Sequence, residues 1–460
     1  MRLNILKLSH LITRDDREPI RTHEGAPARV LTAEQALRRS VLSSMLWERE
    51  FYEDGAEIAG RIRELVPQVA ADRVAALAIE ARERMKLRHV PLMLVREMAR
   101  YPSHRGVVAE TLARVIQRAD ELAEFVAIYW ADRKEGSKQP LSGQVKKGLA
   151  AAFCKFDEYA LAKYDRAAVV RLRDVLFLSH AKPVDAAQAE LWKRLAQNEL
   201  VTPDTWEVAL SAAGHAEGNS KREVWERLLT DRRLGALALL RNLRNLHEAS
   251  ISEGLVFSAL AAMKTDRVLP FRFLAAARNA PQWEEALELA MFRSLAGHAG
   301  KLAGHTVLLV DVSGSMSYPL SKRSEMNRTD AAYGLAILMR EIAEKVTIYT
   351  FSSFVKRVPA RRGLALRDAL EQSQPHYATL LGAALEQVER DCVGYDRLVI
   401  TDEQAHDTVP DPSGRGYMIN VASNRNGVGY GRWTHIDGFS EAVVDYIAEL
   451  EQTEDVPAPQ

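Results

Sequence analysis

The chain has 460 residues, 47% hydrophobic and 27% charged, the composition of an ordinary soluble globular protein with room for two or three domains. Its 62 basic and 62 acidic residues cancel, but residues 1–300 hold 46 basic against 40 acidic and residues 301–460 hold 16 against 22. Two distant cysteines, Cys154 and Cys392, without metal-ligand neighbours exclude a disulfide framework, and no run of about eighteen apolar residues can span a membrane. With no signal-peptide core in residues 1–7, a cytoplasmic protein is expected.

Residues 1–30 are polar, carry Pro19, Gly25 and Pro27, and read as an extended lead-in. Thr32 followed three residues later by Gln35 is a capping signature that opens a helix with Leu37, Val41 and Leu42 on one face. From there to about Ala296 the period is helical, in pieces of roughly 12 to 18 residues punctuated by prolines such as Pro67, Pro140 and Pro203. So many short helices fit an α-solenoid of stacked pairs better than a compact bundle, although no repeat period is visible. Trp47, Phe51 and Tyr52 are spaced like core aromatics. Positions 133–182 hold 11 basic residues against 5 acidic ones, a candidate phosphate-binding surface on an otherwise balanced protein or simply a solvated helix face. Leu237, Leu240, Leu243 and Leu246 recur every third residue and mark a buried face, with Arg241 and Arg244 beside it to meet interhelical carboxylates or RNA.

At Gly304 the rhythm changes to that of a doubly wound sheet. Strands over 306–312, 346–351, 398–401 and 417–421 alternate with helices near 329–344, 364–372 and 380–391, and a short strand at 434–437 precedes a closing helix from Ser440. Val307-Leu308-Leu309-Val310 is a strand buried on both faces that runs into Asp311-Val312-Ser313-Gly314-Ser315. An aspartate and two serines at the carboxyl end of such a strand are hard oxygen ligands that suit Mg²⁺ or Mn²⁺, with waters completing the shell. By itself that string also reads as a Gly/Ser turn capping a helix. A second apolar strand ends in Asp402, and Thr379 stands just before an amphipathic helix. As a strand-end ligand Asp311 is expected at the surface, where its replacement would spare the fold.

Together these segments resemble the metal-ion-dependent adhesion site of von Willebrand factor A domains. The resemblance implies one divalent cation, Mg²⁺ foremost with Mn²⁺ or Ca²⁺ as alternatives, held by Asp311, Ser313, Ser315, Thr379 and Asp402. It also implies an open coordination position for a carboxylate from another molecule, and therefore docking rather than hydrolysis.

Ahead of this domain, the strings Leu37–Leu42 with Leu46–Tyr52, His89–Met98, Arg173–Pro183, Leu239–Asn245 and Leu269–Leu274 are similar, in that order, to the TROVE module of the Ro ribonucleoprotein family. The resemblance divides the chain into 1–30, a helical-repeat RNA-binding part over 31–300, an A-domain over 301–452 and a disordered tail over 453–460. It implies HEAT-like repeats closed into a ring by the A-domain. Small structured RNAs resembling Y RNAs would bind an outer basic surface, and single-stranded 3′ ends of misfolded RNAs the central hole. Lys163 and His180 match the family's RNA-site positions. Another basic position of that stretch is Ala167 here, with Arg166 and Arg171 close by, and Lys146, Lys147 and Lys182 extend the patch. His180 could equally be a helix-terminal histidine bonded to backbone.

The expectation is a monomeric RNA quality-control scaffold that works with an exoribonuclease or helicase, away from membranes. With no P-loop and no Ser/His/Asp or Cys/His set in plausible context, it is expected to have no catalysis of its own. The alternative is a protein–protein adaptor whose A-domain docks an acidic partner side chain through the metal.

Overall fold

The computed structural model describes residues 32–42, 55–85, 87–131, 140–165, 168–203, 205–213, 221–265, 268, 270–296, 302–319, 326–402, 404–421, 432–437, 443–444, 447–448 and 451. Helices come first. They are α1 (Ala33–Leu42), α2 (Gly55–Leu65), α3 (Ala71–Glu83), α4 (His89–Met98), α5 (Arg105–Val115), α6 (Asp120–Trp130), α7 (Gly143–Phe153) and α8 (Glu158–Tyr164). The series continues through α9 (Leu172–Ser179), α10 (Ala186–Gln197), α11 (Trp206–Ala213), α12 (Lys221–Thr230), α13 (Ala236–Glu248), α14 (Glu253–Ala262), α15 (Pro270–Asn279) and α16 (Glu284–Leu295).

The capping reading at the start of α1 holds. Thr32 N–H donates to Gln35 Oε1 at 3.1 Å and Gln35 N–H to Thr32 Oγ1 at 3.2 Å, which satisfies two of the donors a helix start leaves free. Alternate helices then stack, α3 on α5, α5 on α7, α4 on α6 and α12 on α14, the pattern of an array rather than a single bundle. Where α7 crosses α5, a Cβ on Gly148 would lie 2.8 Å from the Ala109 carbonyl oxygen, so only glycine permits that approach. Buried Arg82 of α3 donates to the Val115 carbonyl at 2.9 Å and to Glu121 Oε1 at 2.6 Å. One side chain thus closes the C-terminus of α5 and neutralises a buried carboxylate on α6.

Six strands follow, β1 (Leu302–Asp311), β2 (Ala343–Phe351), β3 (Val355–Arg357), β4 (Arg397–Ile400), β5 (Arg415–Asn420) and β6 (Trp433–Asp437). Helices α17 (Arg328–Ile342), α18 (Gly363–Glu371) and α19 (Leu381–Asp391) lie between them. The sheet order is β3-β2-β1-β4-β5-β6. β3 is antiparallel to β2 and every other pairing is parallel. β1 is buried on both faces, Leu308 and Val310 packing into the large core shared with the helices, Val307 and Leu309 into a second one with Leu381, Leu385 and Val388 of α19. That double burial explains its unbroken apolar run.

Both ends of the helical array rest on this α/β unit. α1 packs against β6, while α15 and α16 pack against α17 and α18. Arg278 of α15 forms a two-pronged ion pair with Asp330 of α17, at 2.7 and 2.5 Å, and Glu288 of α16 accepts the Leu364 N–H at 2.8 Å. Gly334 lets α17 lie against Phe271, 3.2 Å from where a Cβ would stand. The chain therefore closes on itself through its C-terminal sheet.

Three sequence readings change. β3 was not foreseen, because three residues carry too little alternation to register. Leu237 is exposed while Leu239, Leu240, Leu243 and Leu246 are buried. A three-residue repeat turns about −60° per step on a helix of 3.6 residues per turn, which puts Leu237 opposite Leu246. Residues 1–31, Trp47, Phe51, Tyr52 and the tail from 452 lie outside the described residues, and those described between 443 and 451 are helical. Among the described residues no helix is long and apolar enough to cross a membrane.

Candidate metal centre and nucleic-acid interface

The sheet reverses its winding between β1 and β4, and at such a switch point the crevice beyond the carboxyl ends of the strands is the natural binding position. The register pairs Leu309 with Ile400. Two residues further along each strand stand Asp311 and Asp402, and both are fully buried. The Thr401 hydroxyl accepts the Asp311 N–H at 2.9 Å, and Thr401 N–H donates to the Leu309 carbonyl at 3.2 Å, so the two strand ends are locked side by side.

Asp311 Oδ1 accepts the Ser313 N–H at 2.6 Å, which bends the loop so that the Ser313 and Ser315 hydroxyl oxygens lie 3.2 Å apart. Gly314 N–H then donates to the Tyr377 carbonyl at 2.9 Å, and Tyr377 N–H to the Ser352 hydroxyl at 2.7 Å. This backbone chain brings in the loop that carries buried Thr379, whose carbonyl accepts the His406 N–H at 3.1 Å. Three loops distant in sequence thus deliver two carboxylates and three hydroxyls to one end of the sheet. These are hard oxygen donors suited to a divalent cation such as Mg²⁺. Asp311 is not a surface residue as expected, because its carboxylate turns inward to organise the serine loop. Beneath the site, burial and then the neighbouring Glu371 push the Tyr333 hydroxyl far above its usual range, so it remains a donor to Glu371 Oε2 at 2.6 Å.

Around this crevice stand three exposed aromatics that sequence reasoning passed over: Tyr318 and Phe354, both 61% exposed, and Tyr377, 69% exposed. Each sits on a loop already described or one hydrogen bond away, Phe354 through its carbonyl to Ser352 N–H at 3.1 Å. Their only sequence signal is an aromatic within a strand-end loop.

The basic patch is less tightly built. Lys146 Nζ on α7 lies 3.4 Å from His180 Nε2. Since lysine only donates, this pairing takes the neutral imidazole as acceptor. His180 caps α9 in the left-handed region (φ 54°, ψ 37°), which leaves its ring in solvent. Lys147 and Lys182 are also exposed. Lys163 lies half-buried over the rings of Tyr159 and Tyr164, 5.8 and 5.6 Å from their centroids. Arg171 pairs with Asp165 at 2.7 Å, so its charge is largely spent within the protein. Arg166 falls outside the described residues. Exposed Phe177 and Tyr159, not singled out from sequence, flank the cations. Arg244 is exposed and meets Glu248 of its own helix at 3.4 Å, not a carboxylate of another helix.

Residues 174–294 match the TROVE domain family. Among solved structures, the fold is similar to the crystal structure of the Deinococcus radiodurans Ro (Rsr) protein, with 16% sequence identity and a TM-score of 0.64. That alignment covers 92% of this chain and 100% of the other. The chain carries a TROVE domain in a Ro-like fold. No curated protein matches the sequence. The TROVE segment begins within α9 and ends within α16. His180 and Lys182 lie inside it, Lys146, Lys147, Lys163 and Arg171 ahead of it, and the oxygen-donor cluster beyond it.

Proposed function

We propose that this protein is a Ro-like RNA-binding scaffold without catalysis of its own. It would hold small structured non-coding RNA on the face formed by α7, α9 and the start of the loop after α9. It would accept single-stranded 3′ ends of misfolded RNA within the closed array, and present them to an exoribonuclease or helicase. The observation that carries this reading is the convergence of Lys146, His180 and Lys182 beside the exposed ring of Phe177. Cations there would meet phosphates and the ring a base, the combination RNA surfaces use.

Fluorescence anisotropy with a tailed hairpin RNA tests it. Joint replacement of Lys146, Lys147 and Lys182 by Glu should lower affinity at least tenfold. It should also flatten the salt dependence by roughly 2 to 3 in the log–log slope. Affinity and slope equal to wild type would remove the patch from consideration.

At the sheet, Asp311, Ser313, Ser315, Thr379 and Asp402 would hold one Mg²⁺. When bound, that ion supplies a Lewis-acidic position for an oxygen ligand from outside the chain. Two carboxylates are fewer than two-metal phosphodiester chemistry clusters, which favours docking over cleavage. The aromatic rim of Tyr318, Phe354 and Tyr377 supports a second reading, an adaptor that seats a carboxylate-bearing partner there, because aromatic rings anchor protein interfaces. A scaffold loses RNA binding steeply with salt and an adaptor does not bind RNA at all, so the same titration separates the two.

A further inference from the structure

Half of the basic residues after position 300 fall between 328 and 367, within an otherwise acidic domain, and five of them gather at one edge of the sheet. β3 covers β2 only from Tyr349 to Phe351, and Val358 N–H adds one bond to the Ile348 carbonyl at 2.8 Å. Among the described residues no strand pairs with β2 before Ile348 on that side, so the backbone of Val346 and Thr347 is left open. Here lies a cleft of about 390 Å³, with Arg340 of α17 on one wall, Arg357 of β3 on the other, and Val358 to Ala360 along the rim. Lys345, Lys356 and Arg361 stand exposed around it. Among the described residues none of these five cations enters an ion pair.

We propose that this open edge of β2 is a second phosphate-binding groove, which takes a single-stranded RNA segment between Arg340 and Arg357. Guanidinium forks on opposing walls suit phosphate oxygens, and an open strand edge adds backbone N–H donors between them. Exposed Phe354 immediately precedes β3 and sets a stacking ring at the groove's upper end. Cations along a track with an aromatic at its end are what single strands require. Charges on an edge strand also deter sheet-to-sheet association. That purpose accounts for Lys356 and Arg357 on β3, but not for Arg340 on a helix or Arg361 beyond the strand. The field is felt locally: burial, then Lys345, and to a smaller degree Arg357, lower the basicity of His305, whose Nε2 lies 2.9 Å from the Thr347 hydroxyl.

The groove rests on the RNA-scaffold reading, and its test keeps the two apart. A fluorescein-labelled, unstructured oligouridylate and a hairpin RNA without a tail are titrated against the full chain. The same titrations use Arg340→Gln/Arg357→Gln and the triple lysine variant of the α7–α9 patch. The groove predicts that the double variant binds oligouridylate about tenfold more weakly and the hairpin unchanged, with the lysine variant showing the reverse. Photocrosslinking of a 4-thiouridine oligonucleotide to wild type should map to peptides spanning 340–361, a readout independent of how the variants fold. Oligouridylate bound equally by wild type and double variant, with crosslinks elsewhere, overturns the groove and leaves the scaffold standing. Polyglutamate that binds in place of oligouridylate, and is lost in the double variant, assigns the edge to an acidic protein and also overturns it. Hairpin and oligouridylate both unbound by wild type would take the scaffold reading down with it.

Discussion

At the carboxyl end of the sheet, the candidate ligands come from three loops that strand register and backbone hydrogen bonds force together. On the helical array, the candidate RNA contacts are single side chains on exposed helix faces. The first arrangement is buried: Asp311, Asp402 and Thr379 are covered, and each backbone is tied to a neighbouring loop. The second is open, held only by a 3.4 Å contact between Lys146 and His180 and by the rings near Lys163. A buried constellation is coupled to the fold, so changes to it reach stability before function. A surface patch can lose a charge and leave the fold untouched.

The largest test of that contrast lies at the start of β4, the strand that delivers Asp402. Buried Arg397 is clamped by Glu451 at 2.7 and 2.6 Å and donates to the Thr306 hydroxyl at 2.9 Å. Glu451→Ala strands that guanidinium and should cost about 3–5 kcal/mol in urea denaturation. Lys147→Ala should stay within about 0.5 kcal/mol. Comparable losses would erase the distinction between the two regions.

Next in size is the cation. If the five oxygen donors hold Mg²⁺, then Mg²⁺ at a hundredfold above its dissociation constant stabilises wild type by about 2.7 kcal/mol. In Asp311→Asn the amide oxygen can still accept the Ser313 N–H, so the loop is kept while one charge is removed. The Mg²⁺-dependent rise in melting temperature should then largely vanish, with affinity for hairpin RNA unchanged. An equal rise in both proteins would end the assignment, and a parallel loss of hairpin binding would show that the two regions are one site.

The same contrast decides what could be read from sequence. Asp311 and Asp402 were legible because each ends an apolar run, and the switch point of a parallel sheet follows from the βαβ rhythm. The change from helices to strands was equally plain: α16 ends at Leu295 and β1 starts at Leu302. Charge pairing was not legible. Nothing in the spacing of Asp165 and Arg171 says that they meet, yet their contact withdraws a cation from the patch. Exposure was hidden as well, since Phe177, Phe354 and Tyr377 look like any core aromatic until the fold leaves them in solvent. The open edge of β2 depends on β3 being only three residues long, a length below what alternation can reveal.

Within the patch, Arg171 and Lys146 sharpen the point at smaller scale. Arg171→Gln removes a partly buried ion pair and should lower stability by at most about 1 kcal/mol, with RNA affinity unchanged. Lys146→Gln should leave stability alone and weaken RNA binding about threefold, the effect of one phosphate contact. The reverse outcome, seen by paired melting and anisotropy measurements, would move the interface toward Asp165.

The smallest effect is a pH dependence at the other end of β1. Burial, followed by the positive charge of Lys345, holds the His305 pKa below its ordinary value. A histidine whose folded pKa is lowered binds protons more readily unfolded. Its contribution to stability is therefore fully present at neutral pH and declines as pH falls through the unfolded value of about 6.5 toward the folded one. Wild type should thus lose slightly more melting temperature between pH 7.5 and 5.5 than His305→Gln, and Lys345→Gln should narrow that gap by removing the second cause. If an oligonucleotide fills the neighbouring groove, its phosphates offset Lys345 and Arg357, and the gap should narrow further on binding. A gap that widens with bound RNA would mean that the positive field at this edge faces away from the ligand.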